Sequence, residues 1–186
     1  LEDVKEAQVV RCESFDPQRL LARLGKERLL PPAPGIQKQS PAAFLNNRIL
    51  PFLLQPDSKM LWKPFALNAA KQMLRHRTYD ALLTTSPPHS VHLVGRGIKK
   101  RSRLKWGADF RDGWAGSHVV QEPTSWHYKR NVVKQNQVVQ EADAIISASI
   151  GIQESLLSEN VDGEKFHVIT NGFDPQEVRP IRAKHR

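Results

Sequence analysis

Short apolar runs alternate along this chain with stretches whose apolar residues recur every three or four positions, most clearly between Tyr79 and Thr170. Ala81–Thr85 is a run of strand length that leads into Ser86, Pro87 and Pro88. The two prolines lack an amide proton and fix φ, so the strand must stop there and the loop is stiff. From His89 the period becomes helical: Val91, Leu93, Val94 and Ile98 are spaced to face a sheet, and Lys99, Lys100, Arg101 and Arg103 close the last turn, where cations suit the helix dipole. Leu104–Phe110 reads as a second strand and runs into Asp109-Phe110-Arg111-Asp112. Strand, crossover helix and strand form a right-handed unit that builds parallel sheets. Ligands of such sheets bind beyond the carboxyl ends of the strands, so Ser86–Ser90 and Asp109–Trp114 are expected on one rim.

The same pattern extends in both directions. Val4–Arg11 alternates loosely and reads as a sheet strand. Asp16 and Pro17 form a helix start, with Leu20, Leu21 and Leu24 on one face and Gly25 as the stop. Leu30–Ala43 carries Pro31, Pro32, Pro34, Gly35 and Pro41, which marks a long loop, more often functional than filler. Ala42–Leu54 looks helical, broken by Pro51; its Phe44, Leu45, Ile49 and Leu50 suit core packing, or a membrane surface in an enzyme that uses lipid. A helix from Trp62 to about His76 turns Ala66, Ala69, Ala70, Met73 and Leu74 inward. After Trp114 comes a polar loop and a helix from about Thr124 to Glu141, with Trp126, Val132, Val133 and Val138 inward and Lys129, Arg130, Lys134 and Gln135 toward water. Ala144–Ser149, Ile150–Ser158 and Phe166–Thr170 then read as strand, helix and strand, and the alternation as a whole predicts an α/β fold with a parallel sheet.

Composition narrows the classes. With 39% hydrophobic and 25% charged residues in 186, the chain resembles an ordinary globular domain, and no apolar run approaches the ~20 residues of a membrane span. The single Cys12 cannot form an internal disulfide and fits a reducing compartment; nothing near it resembles a base that would make it a nucleophile. A net charge of +9 favours an anionic partner. The basic residues are scattered over helix ends and the tail Arg179–Arg186 without interleaved aromatics, which argues against nucleic acid.

Four segments in order, TTSPPHS, KWGADFRDGW, EADAIISASIGIQESL and KFHVITNGFDP, resemble the amino-terminal half of glycosyltransferase family 4 enzymes, which have the GT-B architecture, over roughly Trp62–Pro175. The resemblance implies a Rossmann-like parallel sheet flanked by helices and incomplete at its N-terminal edge. It implies a sugar transferred from a nucleotide-sugar donor to a polysaccharide or lipid-linked acceptor, usually with retention, without a metal or other cofactor. Relatives of this kind often build bacterial surface polysaccharides, which suggests a cytoplasmic protein with peripheral contact at the inner membrane. Such enzymes begin with a strand and glycine-rich loop that would precede Leu1, and their donor-binding Lys/Arg and glutamate pair would follow Asn171-Gly172-Phe173-Asp174. The expectation is therefore residues 1–175 as a partial acceptor-side domain and 176–186 as a tail or interdomain connection, inactive alone.

Within that frame Asp112, Asp109 and Arg111 are the candidate catalytic residues. Carboxylates at a strand end suit an oxocarbenium-like transition state, although Asp109 can equally pair with Arg111 or cap the loop. Many relatives have His-Asp where this chain has Arg111-Asp112, which argues against a histidine-based role at that position and favours the acid; His89 remains a candidate general base or a solvated loop residue. Arg111 can clamp a phosphate or serve as an ion-pair partner. Ser86, His89 and Ser90 stand where a loop meets a helix amino terminus, as an anion or hydroxyl site or merely a cap. Trp114 can stack on a sugar or be buried. His118 and His127 are weaker acceptor contacts, Asn171 and Gly172 mark the donor side or hinge, and the dispersed histidines give no metal site. The rival class is a non-catalytic Rossmann-like module that docks an anionic polymer or membrane surface.

Overall fold

The computed structural model describes residues 8–14, 50–117, 122–157 and 161–172. In these residues helix α1 (Leu50–Leu53) and a 3-10 turn (Met60–Trp62) precede α2 (Lys63–His76). Then come β1 (Ala81–Ser86), α3 (Ser90–Lys99), β2 (Lys105–Phe110), α4 (Ser125–Glu141), β3 (Ala144–Ser147), α5 (Ile150–Leu156), a second 3-10 turn (Gly163–Lys165) and β4 (Phe166–Val168). The four strands form one sheet in the order β1-β2-β3-β4. Every pairing is parallel, with Ser86 opposite Phe110 and Phe110 opposite Ser147. This is the expected Rossmann-like α/β architecture, with β1 as an edge strand among the described residues.

Strand order that follows chain order, joined by crossovers of one hand, places successive helices on the same face of a sheet. Trp106, Ala108, Phe110 and Ile145 point to that face and pack with Leu93 of α3, Val138 and Val139 of α4, and Leu156 of α5. Burying each of the larger side chains stabilises the fold by about 1.5–3 kcal/mol. On the opposite face Leu83 is 63% exposed. The sheet and α3 approach closely because Gly95 has no side chain: a Cβ there would lie 2.7 Å from both Thr84 Cγ2 and Trp106 Nε1.

Several expectations are corrected. Gln8–Arg11 is not a strand: Val9 and Val10 are adjacent and both exposed, so the segment has no face to bury. Its first residues, the helix after Pro17, the proline-rich loop and most of the segment from Ala42 lie outside the described residues. Cys12, just after Arg11, is half-buried and accepts a hydrogen bond from Trp62 Nε1 at 3.0 Å.

The largest correction concerns α4. Val138 is buried as expected, but Trp126 and Val133 are each 55% exposed, and the rest of the buried face is His127, Asn131, Val139 and Gln135, the last expected toward water. Three of those side chains are polar because they hold neighbouring loops and helices by hydrogen bonds. His127 bonds Thr124 Oγ1 through Nδ1 and the carbonyl of Phe52 through Nε2, Asn131 donates to Glu122, and Gln135 joins the amide of Ala115 to the carbonyl of Ser155. A hydrophobicity pattern cannot mark a face that is buried in order to make hydrogen bonds.

Candidate functional site

The ladder runs one residue past each strand end: Arg111 N donates to Ser86 O at 3.1 Å, Ala148 N to Phe110 O at 3.0 Å, and Ile169 N to Ser147 O at 2.9 Å. Two sequence-predicted corners, Ser86–Ser90 and Asp109–Trp114, therefore meet on one rim, as parallel pairing requires.

At the centre of the rim Arg111 Nε donates to Asp109 Oδ2 at 2.9 Å. The same guanidinium, through Nη1, reaches the carbonyl of Ile169 at 3.1 Å and Asn171 Oδ1 at 3.0 Å, so it ties the end of β2 to the end of β4. Asp109 has a side chain only 4% exposed, which makes the pair partly desolvated and strongly directional. Asp112, by contrast, is half-buried on the following loop.

Beside this pair stands the start of α3. Its N-cap residue, His89, makes no side-chain cap bond. The free amide of Ser90 is instead satisfied by Asp57 Oδ2 at 2.8 Å, a carboxylate delivered from 33 residues away at the positive end of the helix dipole. That contact corrects the reading of the helix start as an open anion site: the chain supplies its own anion.

The His89 ring is 3% exposed and lies flat against Trp114, with centroids 5.1 Å apart and planes inclined by 5°. Burial holds its pKa below the usual imidazole value, against the opposing pull of the Asp57 and Asp112 carboxylates. One turn on, His92 is fully buried with its ring 4.3 Å from Phe110. Its Nδ1 is 2.9 Å from Thr84 Oγ1, which also accepts a 2.9 Å bond from Trp106 Nε1. A hydroxyl that already accepts from an indole has its proton to give, and the histidine nitrogen is a nearer acceptor than the carbonyl of Gly107 at 3.5 Å. His92 is thus a neutral ring with an acceptor Nδ1, and burial followed by repulsion from His89 lowers its pKa to about 3.

The expected site residues divide into two groups. Asp109, Arg111, Asp112 and Asn171 are gathered at the rim, with Asn171 exposed. Ser86, Ser90 and Trp114 are 0% exposed and His89 nearly so, which corrects the expectation that they offer surface to a ligand in this conformation. Trp114 spends its faces on His89 and the core rather than on a sugar. Ser86 and Ser90 do not cap the helix. His127 has both nitrogens bonded within the protein and serves as a structural anchor. Gly172 does not have the positive φ that would require glycine. His118 lies outside the described residues. Sequence reasoning missed Asp57, which is 33 residues from the amide it caps, and His92, a polar position beside Leu93 and Val94 on the buried face of α3.

Polar atoms without partners cluster at the same rim. Both ring nitrogens of His89, His92 Nε2, Ser90 Oγ, Asp109 Oδ1, Trp114 Nε1 and Ser147 Oγ are buried and unbonded. A buried polar atom left dry costs about 1–3 kcal/mol, so these atoms call for ordered water or for a ligand group as partner. Among the described residues no group of His, Cys, Asp or Glu is arranged to hold a metal ion, and no helix is long and apolar enough to cross a membrane. Comparison with protein-family models, curated proteins and solved structures found no match, so the family resemblance rests on the four sequence segments alone.

Proposed function

We propose that this chain is the acceptor-side domain of a glycosyltransferase that moves a sugar from a nucleotide-sugar donor to a polysaccharide or lipid-linked acceptor. The observation that carries the reading is the meeting of the Ser86–Ser90 and Asp109–Asp112 corners at one strand-end rim, with Asp112 as its uncommitted carboxylate.

In this reading Asp112 accepts a hydrogen bond from the acceptor hydroxyl and orients it toward the anomeric carbon, while its charge favours the positive charge that develops on the sugar ring. Asp109 is the positioning residue that fixes Arg111, and Arg111 fixes the loop carrying Asp112. With Nε on Asp109 and Nη1 on Ile169 and Asn171, the guanidinium is a brace between strand ends rather than a phosphate clamp. His89, kept neutral by burial, backs the rim through its stack on Trp114. The unbonded polar atoms behind the rim support a site that a hydroxyl-rich ligand or ordered water would complete.

The test is sugar transfer by the intact gene product from a panel of uridine, guanosine and adenosine diphosphate sugars, with a membrane extract as the acceptor source. Acceptor-dependent release of nucleoside diphosphate supports the proposal; its absence for every donor overturns it.

A further inference from the structure

Helices α2, α3 and α4 border a groove of about 510 Å³ that none of the rim residues lines. Lys63 contributes to it from α2, Arg96 from α3, and Lys129, Arg130 and Lys134 from α4, and no acidic residue lines it. Met60, Leu93, Trp126 and Val133 supply its apolar walls.

Most of this positive charge is uncompensated. Arg96 is spent on Glu141, whose Oε1 accepts from Nε at 2.9 Å and from Nη2 at 2.7 Å. Lys134 Nζ donates to the carbonyl of Gln55 at 2.9 Å, a neutral acceptor that fixes the ammonium in place and leaves its other protons to give. Lys63 and Lys129 make no ion pair with another described residue. Arg130 lies over the Trp126 ring, 4.5 Å from its centroid, so the indole steadies its charge without neutralising it. Four cations therefore converge with no carboxylate among them. The crowding shows in the amines: burial and then Arg96 hold Lys63 below its usual pKa, and burial and then Arg130, only partly opposed by Asp57, bring Lys134 down to about 8. An anion in the groove would relieve that repulsion.

Charge and size together define the ligand. One phosphate group carries about 1.5 to 2 negative charges near neutral pH, too few to balance four cations, whereas two or three phosphates match them. The groove has the volume of pockets that hold drug-sized organic molecules, so a bare phosphate chain would leave its apolar walls uncovered. Trp126 and Val133 are each 55% exposed, which leaves indole and aliphatic surface for a flat ring.

We infer that this groove is a second ligand site, built for a soluble organic di- or triphosphate: Lys63, Lys129, Arg130 and Lys134 hold the phosphate chain, and Trp126 and Val133 flank the ring attached to it. The site is separate from the rim and independent of sugar transfer there. The experiment is calorimetric titration of the 186-residue chain with adenosine triphosphate, inorganic tripolyphosphate and adenosine, without divalent cations. Lys129→Ala/Arg130→Ala removes two cations from α4, and Lys63→Ala removes one from α2. Lys71→Ala/Arg75→Ala, which lie outside this groove on α2, make the control of equal charge.

Adenosine triphosphate is expected to bind about tenfold more tightly than tripolyphosphate through its stacked ring, and adenosine not measurably. Its affinity falls roughly thirtyfold in Lys129→Ala/Arg130→Ala, falls less in Lys63→Ala and is unchanged in the control. Trp126→Ala brings adenosine triphosphate down to the affinity of tripolyphosphate, a change that a loss of packing would not confine to the ligand with a ring. Equal losses in the two double variants would show a mere response to net charge and overturn the inference. So would tripolyphosphate or adenosine binding as tightly as adenosine triphosphate to the native chain, or no binding of adenosine triphosphate at all.

Discussion

Arg111 holds the carboxylate of Asp109 at 2.9 Å with one nitrogen and spans to the end of β4 with another, so one side chain closes the rim across the sheet. Truncating it leaves a nearly sealed carboxylate without its counter-charge. Arg111→Ala should destabilise the fold by about 3 kcal/mol, read from the midpoint of urea unfolding. Asp109→Asn should cost less, because the guanidinium keeps its bonds to Ile169 and Asn171. Equal effects of the two changes would mean that the bridge to β4 contributes nothing.

Gly95 and Gly151 are both helical glycines, and the structure assigns them opposite responses to an added methyl group. At Gly95 the new carbon would press on Thr84 and on the indole of Trp106, neither of which can retreat from the core. Gly95→Ala should destabilise by about 1–3 kcal/mol through overpacking. At Gly151 nothing lies within 4 Å, and Gly151→Ala should be neutral or stabilise by up to about 1 kcal/mol. Thermal melts of the two variants check the contrast.

Acid should weaken the fold through His92. In the folded chain this imidazole takes a proton only near pH 3, whereas unfolded it does so near 6.5, so the unfolded state binds the extra proton. Its contribution is complete above pH 6.5 and is lost as the pH falls toward 3, by at most about 1.4 kcal/mol per pH unit. His89 is shifted in the same direction and adds to the trend. His92→Gln should flatten the pH dependence of stability across that window. In the native protein the His92 ring resonances should stay still through the range where a free imidazole titrates; titration near 6.5 would contradict the buried neutral ring.

The sheet was legible because its signals are local. Pro87 and Pro88 end β1 where expected, the apolar runs of β1 and β2 lie within a residue of their observed limits, and alternation of strand and helix determines parallel order. The later strands are shorter than they read: β3 ends at Ser147 and β4 at Val168. What was not legible depends on partners far away in the chain. Asp57 caps a helix 33 positions later, and Gln135 is buried by bonds to a loop at Ala115 and to α5 at Ser155, each 20 positions away in the chain. The same limit applies to the rim residues. Their convergence follows from topology, but the sealing of Ser86, Ser90 and Trp114 is a packing outcome that spacing cannot show. Gly116 is a smaller case: its φ of 73° is a left-handed conformation that only the structure reveals.

The account turns on Asp112, the carboxylate that the bracing of Arg111 leaves for chemistry. The decisive measurement is turnover and melting temperature together for Asp112→Asn in the intact gene product. The account predicts a loss of at least about 100-fold in turnover with a melting temperature within about 2 °C of the native protein, since a half-buried loop carboxylate holds little of the fold together. Native turnover in a folded Asp112→Asn variant would contradict it.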